Sequence, residues 1–210
     1  MLRRIGAYIL IVFLLLTITV QFISCGKKYS PEQQKYIKKI EEFRTEKDDF
    51  MKNSAESPFV QDKNAKFHPL KYFPVNPDFV FHSKLYRNTE PDTITIFGTK
   101  GEARKAIRFG FVKFNYEDKE YKLNVYKGTT KDGTVYYTLW FTDKTTGDET
   151  YGVGRYLDFD LNPDTNYVYD IDFNLAYNPY CAYSAKYSCA IPSKDDHLDL
   201  AVEAGEKNFH

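Results

Sequence analysis

Hydrophobic and polar positions along the chain fall into three regimes: an unbroken apolar run, a helical repeat and a long stretch of alternation. Ile5 to Ile23 carries no charged residue and follows Arg3 and Arg4, which is the basic-then-apolar order of an export signal. From Ser30 the period becomes helical. Tyr36, Ile37, Ile40, Phe43, Phe50 and Met51 recur at helical spacing among Lys38, Lys39, Glu41, Glu42, Lys47 and Asp48, so an amphipathic helix is expected to about Asn53. Ser30, Pro31 and Gln33 supply its start, with a hydroxyl to cap, a ring of preset φ and an amide to reach back. Mixed charges on its polar side favour packing on a domain over resting on a membrane.

From Phe67 the alternation has period two and is punctuated by Pro, Gly, Asn and Asp, as in antiparallel sheets. Strands are expected near Phe79–Tyr86, Thr93–Gly98, Ala106–Phe114, Glu120–Tyr126, Val135–Phe141, Tyr151–Asp158, Val168–Phe173 and Leu198–Glu203. Tyr121, Leu123 and Val125 face one way, as in a half-buried strand. Asp132-Gly133 and Thr146-Gly147 mark two hairpin turns. The expected fold is mainly β, an antiparallel barrel or sandwich with one N-terminal amphipathic helix. The domain plan reads 1–24 signal, 25–29 tether, 30–56 helix and 57–210 β-domain.

Phe22, Ile23, Ser24, Cys25 and Gly26 close the apolar run. That ending resembles a bacterial lipobox, with a small residue before the cut and a thiol at Cys25 for the lipid. An uncleaved anchor helix is the alternative, because the run is just long enough to span. Either reading puts the domain outside the cytoplasm, in a bacterial cell envelope, with the membrane as partner through Cys25. With 29 basic and 29 acidic residues the chain has no net charge, which speaks against nucleic acid as a partner. Cys181 and Cys189 remain, an even pair in a compartment that permits a disulfide, though reduced structural thiols stay open.

Two polar, aromatic segments stand out: TYGVGRYLDFD at Thr150–Asp160 and DIDFNLAYNPYCAYSAKYSCAIP at Asp170–Pro192. Together with KYFPVNPDFVF at Lys71–Phe81 and AGEK at Ala204–Lys207, they resemble the bacterial and archaeal domain-of-unknown-function family 1684. The resemblance covers most of the chain beyond Cys25 and implies a residue list without an activity. Within it, Arg155, Asp158, Asp172, Asn174, Tyr177, Asn178 and Tyr183 are the ligand-binding candidates. A guanidinium among amides and phenols suits a small polar or anionic ligand. The competing reading makes the same residues a scaffold, because Asn and Asp cap loops and a buried Arg often only pairs an Asp.

Other signals are weaker. Asp158, Asp160, Asn162 and Asp164 open like a calcium loop, but Pro163 and Tyr169 stand where an EF-hand needs Gly and Glu, which leaves an Asx-rich turn or a looser calcium turn. His68, His82, His197 and His210 show no metal spacing, and no cofactor is expected. G-x-S-x-G and H-E-x-x-H do not occur. The expected function is an anchored lipoprotein that binds a small ligand or an envelope partner. The alternative is a hydrolase or lyase using Asp158 or Asp172 as base, with Arg155 steadying negative charge.

Overall fold

The computed structural model describes residues 27–130 and 132–210; the expected export signal and Cys25 lie outside them. Among the described residues no helix is long and apolar enough to cross a membrane. The chain divides into two compact units, Met1–Gln34 and Lys35–His210. In the first, the Ser30 N–H donates to Gln33 Oε1 at 2.9 Å and the Gln33 N–H donates to Ser30 Oγ at 3.2 Å. This reciprocal pair is the expected capping box. It starts helix α1, Pro31–Asn53, which buries Ile40 and Met51. A single turn, α2 (Pro58–Gln61), follows with Ser57 as its cap.

Among the described residues, seven strands form two antiparallel sheets. Strand β1 (Val80–Lys84) pairs with β7 (Val168–Asp172), while β2 (Tyr86–Phe97), β3 (Ala103–Tyr116), β4 (Lys119–Thr129), β5 (Val135–Phe141) and β6 (Arg155–Asp158) form a meander in chain order. Strands β2 and β6 are its edges and do not pair with each other, so the sheet is not a closed barrel. The β3–β4 turn is Glu117-Asp118, both at positive φ (47° and 60°), as a two-residue primed turn requires. The β4–β5 hairpin turns at Gly133, φ 89°.

The meander buries both faces over β4 to β6. Leu123 and Val125, Leu139 and Phe141, and Leu157 point into the main core. Their alternate neighbours Tyr126, Trp140 and Tyr156 pack with Ile96, Ala106 and Ala190 on the opposite face. A bulge between Arg108 and Gly110 lets β3 serve both faces, with Ala106 on one and Val112 and Phe114 on the other, because one extra residue reverses the alternation. Phe173, fully buried, joins the sheets through Phe81, Phe114 and Phe141, with ring centroids 5.8, 5.4 and 5.2 Å away.

A buried carboxylate on the second face is satisfied internally. Asp196, fully buried, accepts from Asn124 Nδ2 (2.8 Å), Tyr126 Oη (2.7 Å) and the Ser193 N–H (3.0 Å). A buried carboxylate is tolerable only with such donors.

Three expected features differ. Tyr151–Gly154 is a turn closed by the Gly154 N–H to Tyr151 O, with Gly154 at φ 106°, so β6 begins only at Arg155. Thr146-Gly147 is not a tight hairpin turn: it lies inside the long connection between the paired strands β5 and β6, which folds on itself through the Thr150 N–H to Thr145 O and the Gly147 N–H to Thr150 O. Leu198–Glu203 alternates in burial, with Leu198, Leu200 and Val202 inside, yet builds no ladder. Its backbone bonds go to the irregular segment at Thr142 and Lys144 instead.

Candidate ligand-binding cleft

The polar residues singled out in the sequence separate into internal braces and a cleft wall. Arg155 is a brace, with no exposure. Its Nη2 donates to Asp143 Oδ2 at 2.6 Å and Val202 O at 2.8 Å, and its Nη1 donates to the Ala204 and Glu206 carbonyls. Burial pushes the guanidinium down from its ordinary value, and the Asp143 carboxylate opposes that shift. Arg155 thus ties β6 to the C-terminal segment and presents no charge to solvent.

Asn174 and Asn178, at 1% and 2% exposure, are committed as well. Asn174 accepts from the Asn76 N–H at 2.7 Å and returns a bond to Asn76 O at 2.8 Å. Asn178 Nδ2 donates to Lys207 O at 2.9 Å. Tyr183 is buried and donates to Glu206 Oε2 at 2.6 Å. Burial first, then the Glu206 charge, pushes its phenol well above the usual range, so the proton stays in that bond.

Glu206 is the hub of this region and did not figure among the sequence candidates, although AGEK contains it. At 1% exposure its carboxylate takes Lys47 Nζ at 2.9 Å, the Asn178 N–H at 2.7 Å and Tyr183 Oη. It therefore fastens α1 to the C-terminal segment and to the loop after β7. Asp143 was missed too, because its partner Arg155 is brought close by a loop and not by a motif.

Asp158, Asp172 and Tyr177 do meet, in a cleft of about 860 Å³. Helix α1 contributes Phe43, Lys47, Phe50 and Met51. The chain from β6 contributes Tyr156, Asp158 and Asp160, β7 contributes Tyr169, Asp170 and Asp172, and the following loop contributes Leu175, Tyr177, Tyr180, Tyr187 and Cys189. Leu139, Leu157 and Ile171 of the main core also line it.

Tyr177 donates to Asp158 Oδ1 at 2.7 Å. Burial and the Asp158 charge push this phenol up, which keeps it a donor. Asp172 takes Tyr36 Oη at 2.8 Å and the Asn174 N–H at 2.9 Å, and so caps the turn that follows β7. Lys47 lies 4.7 Å from the Tyr177 ring centroid, a cation–π distance. The calcium-like stretch is a run of Asx turns, with the Asp164 N–H on Asn162 Oδ1 and the Asn166 N–H on Asp164 Oδ1, both at 2.9 Å.

Cys181 and Cys189 come together beside the cleft as free thiols, with the Cys181 N–H donating to Cys189 Sγ at 3.2 Å. A hydrogen bond from Cys189 lowers the Cys181 thiol to about 6 against the opposing effect of burial, while the same bond and burial push Cys189 up. The pair is half-buried.

The solution NMR structure of an uncharacterised protein from Haloarcula marismortui is similar to this chain, with 27% identity and a TM-score of 0.60, covering 84% of this chain and 96% of that one. No curated protein matches. The model of one family, described as Protein of unknown function (DUF1684), matches residues 65–207, from just after α2 through the Glu206 hub. The chain belongs to that family.

Proposed function

We propose that this domain binds a small organic molecule in the cleft between α1 and the β6–β7 edge. The observation that carries the reading is the character of the wall. Phe43, Phe50, Tyr167 and Leu175 line the cleft and remain 41%, 39%, 44% and 37% exposed. Large apolar side chains gathered at one concavity, with a few polar groups among them, mark a binding site more often than a bare surface. The volume of about 860 Å³ is within the range that such ligands occupy.

Binding is favoured over turnover because the guanidinium that a base at Asp158 or Asp172 would rely on is the sealed Arg155. Its burial also removes the reason to expect an anion. We further propose that residues 1–24 export the chain and that lipid on Cys25 holds the domain at an envelope membrane. The order of charge, apolar run, Ser24 and Cys25 supports this. Loss of membrane association and of the lipid mass in a Cys25→Ala variant would test it; a variant that stays on the membrane would contradict it.

A fragment screen by NMR on the purified protein tests the cleft. Hits are expected to shift resonances of Phe50, Leu175 and Tyr177, and to weaken severalfold in Leu175→Ala. Hits scattered over the surface, or indifferent to that variant, would contradict the reading.

A further inference from the structure

We infer that the cleft selects organic monocations, an ammonium group carried on an apolar or aromatic body; this rests on the cleft being a binding site. The cleft wall has more free acceptors than free donors. Most of its donors are engaged: Tyr177 on Asp158, Tyr187 on Gln61 Oε1, Tyr156 on Ala190 O and Lys47 on Glu206, which leaves chiefly the Tyr167 and Tyr180 hydroxyls. Acceptors remain. Asp160 is exposed and has no partner among the described residues, and Asp158 has a second oxygen beyond the one that Tyr177 occupies.

An anion brings only acceptors and would meet carboxylates. A sugar brings two lone pairs with every hydroxyl donor, more than the Tyr167 and Tyr180 hydroxyls can satisfy. An ammonium brings donors alone and matches what is left. The aromatic faces point the same way. Lys47 already rests over Tyr177 at 4.7 Å, so these rings accept a cation within the molecule itself, as their negative faces allow. That lysine is neutralised by Glu206 at 2.9 Å, so it does not reverse the sign of the cleft. Farther round, Asp170 is hydrogen-bonded to His82 Nδ1 at 2.7 Å and Asp172 accepts from Tyr36 Oη at 2.8 Å, so the least engaged carboxylate oxygens of the wall are those of Asp158 and Asp160.

Three probes of one shape separate the outcomes: 4-phenylbutylammonium, 4-phenylbutanol and 4-phenylbutyrate, titrated into the full-length protein at pH 7 and low ionic strength with NMR detection. The ammonium is expected to bind about tenfold more tightly than the alcohol, with the butyrate weakest. Asp160→Asn, a change at an exposed side chain, should weaken the ammonium about three- to fivefold and leave the alcohol unchanged. Asp158→Asn/Asp160→Asn, in which residue 158 can still accept from Tyr177, should weaken it further. Equal affinities for ammonium and alcohol, or tightest binding by the butyrate, would overturn the cation class while leaving the cleft as a site. Failure of all three to perturb any cleft residue at millimolar concentration would overturn both.

Discussion

Removing the Asp143 carboxylate is the sharpest test of whether Arg155 braces the fold. Both side chains have no exposure, and they meet at 2.6 Å. In Asp143→Ala the guanidinium keeps its carbonyl partners Val202, Ala204 and Glu206 but loses its counter-charge away from water. Breaking a buried pair on one side costs about 3–5 kcal/mol, against about 1 kcal/mol or less for an exposed pair. For a domain of this size that corresponds to a fall in Tm of about 6–20 °C. Urea unfolding followed by near-ultraviolet circular dichroism would measure it. Arg155→Met/Asp143→Leu, which removes both charges, should recover much of the loss. A single-variant cost under about 1 kcal/mol would refute the reasoning, and so would a double variant as unstable as the two singles combined.

Other consequences are equally open to measurement. Asp199 lies between Lys119 at 2.7 Å and Lys144 at 2.9 Å, and these two hold its carboxyl down at about 2. Since the folded value lies below the unfolded one, the stabilisation is complete above about pH 4 and is lost as pH falls through about 2; an NMR titration midpoint near 4 would contradict this. Cys181, held at about 6 chiefly by the Cys189 hydrogen bond, should alkylate with iodoacetamide at pH 7 faster than an ordinary thiol. Cys189→Ala, which removes that donor, should move its pH profile upward, whereas an unchanged profile would sink the assignment. Mild oxidation with diamide should join the two sulfurs, read as the loss of two hydrogens by mass spectrometry. Gly205 sits at φ 77°, and a methyl group there would lie 2.6 Å from Ala176 O and 2.7 Å from Phe173 O. Gly205→Ala should therefore destabilise by about 1–3 kcal/mol, and an unaltered Tm would argue against that packing.

Much of the framework was legible because it is written in local periodicity. The α1 cap, its end at Asn53, β5 at Val135–Phe141 and the Asp132-Gly133 hairpin all follow from short-range pattern. Leu198–Glu203 shows the limit of that signal: alternation reports burial, and burial alone does not make a ladder. The candidate site was half legible. Asp158, Asp172 and Tyr177 reach the cleft, whereas Arg155, Asn174, Asn178 and Tyr183 turn inward. Side-chain type could not separate the two groups, because a residue that braces buried loops needs the same hydrogen-bonding chemistry as one that greets a ligand. The partners that decide the matter are remote in sequence. Asn76 reaches Asn174 across 98 positions, and the Glu206 carboxylate reaches Asn178 across 28. The apolar half of the wall was hidden differently. Phe43 and Phe50 read as ordinary buried positions of an amphipathic helix, yet they stay 41% and 39% exposed because α1 overhangs the cleft at that point.

The central claim is that the concavity under α1 is where this protein meets its ligand. The most direct measurement is the set of intermolecular nuclear Overhauser effects between bound 4-phenylbutylammonium and the protein. The account predicts contacts to the Tyr177 and Tyr180 rings and the Leu175 methyl groups. Contacts to exposed rings elsewhere, such as Tyr86, Phe97 or Tyr136, with none to the cleft, would contradict it.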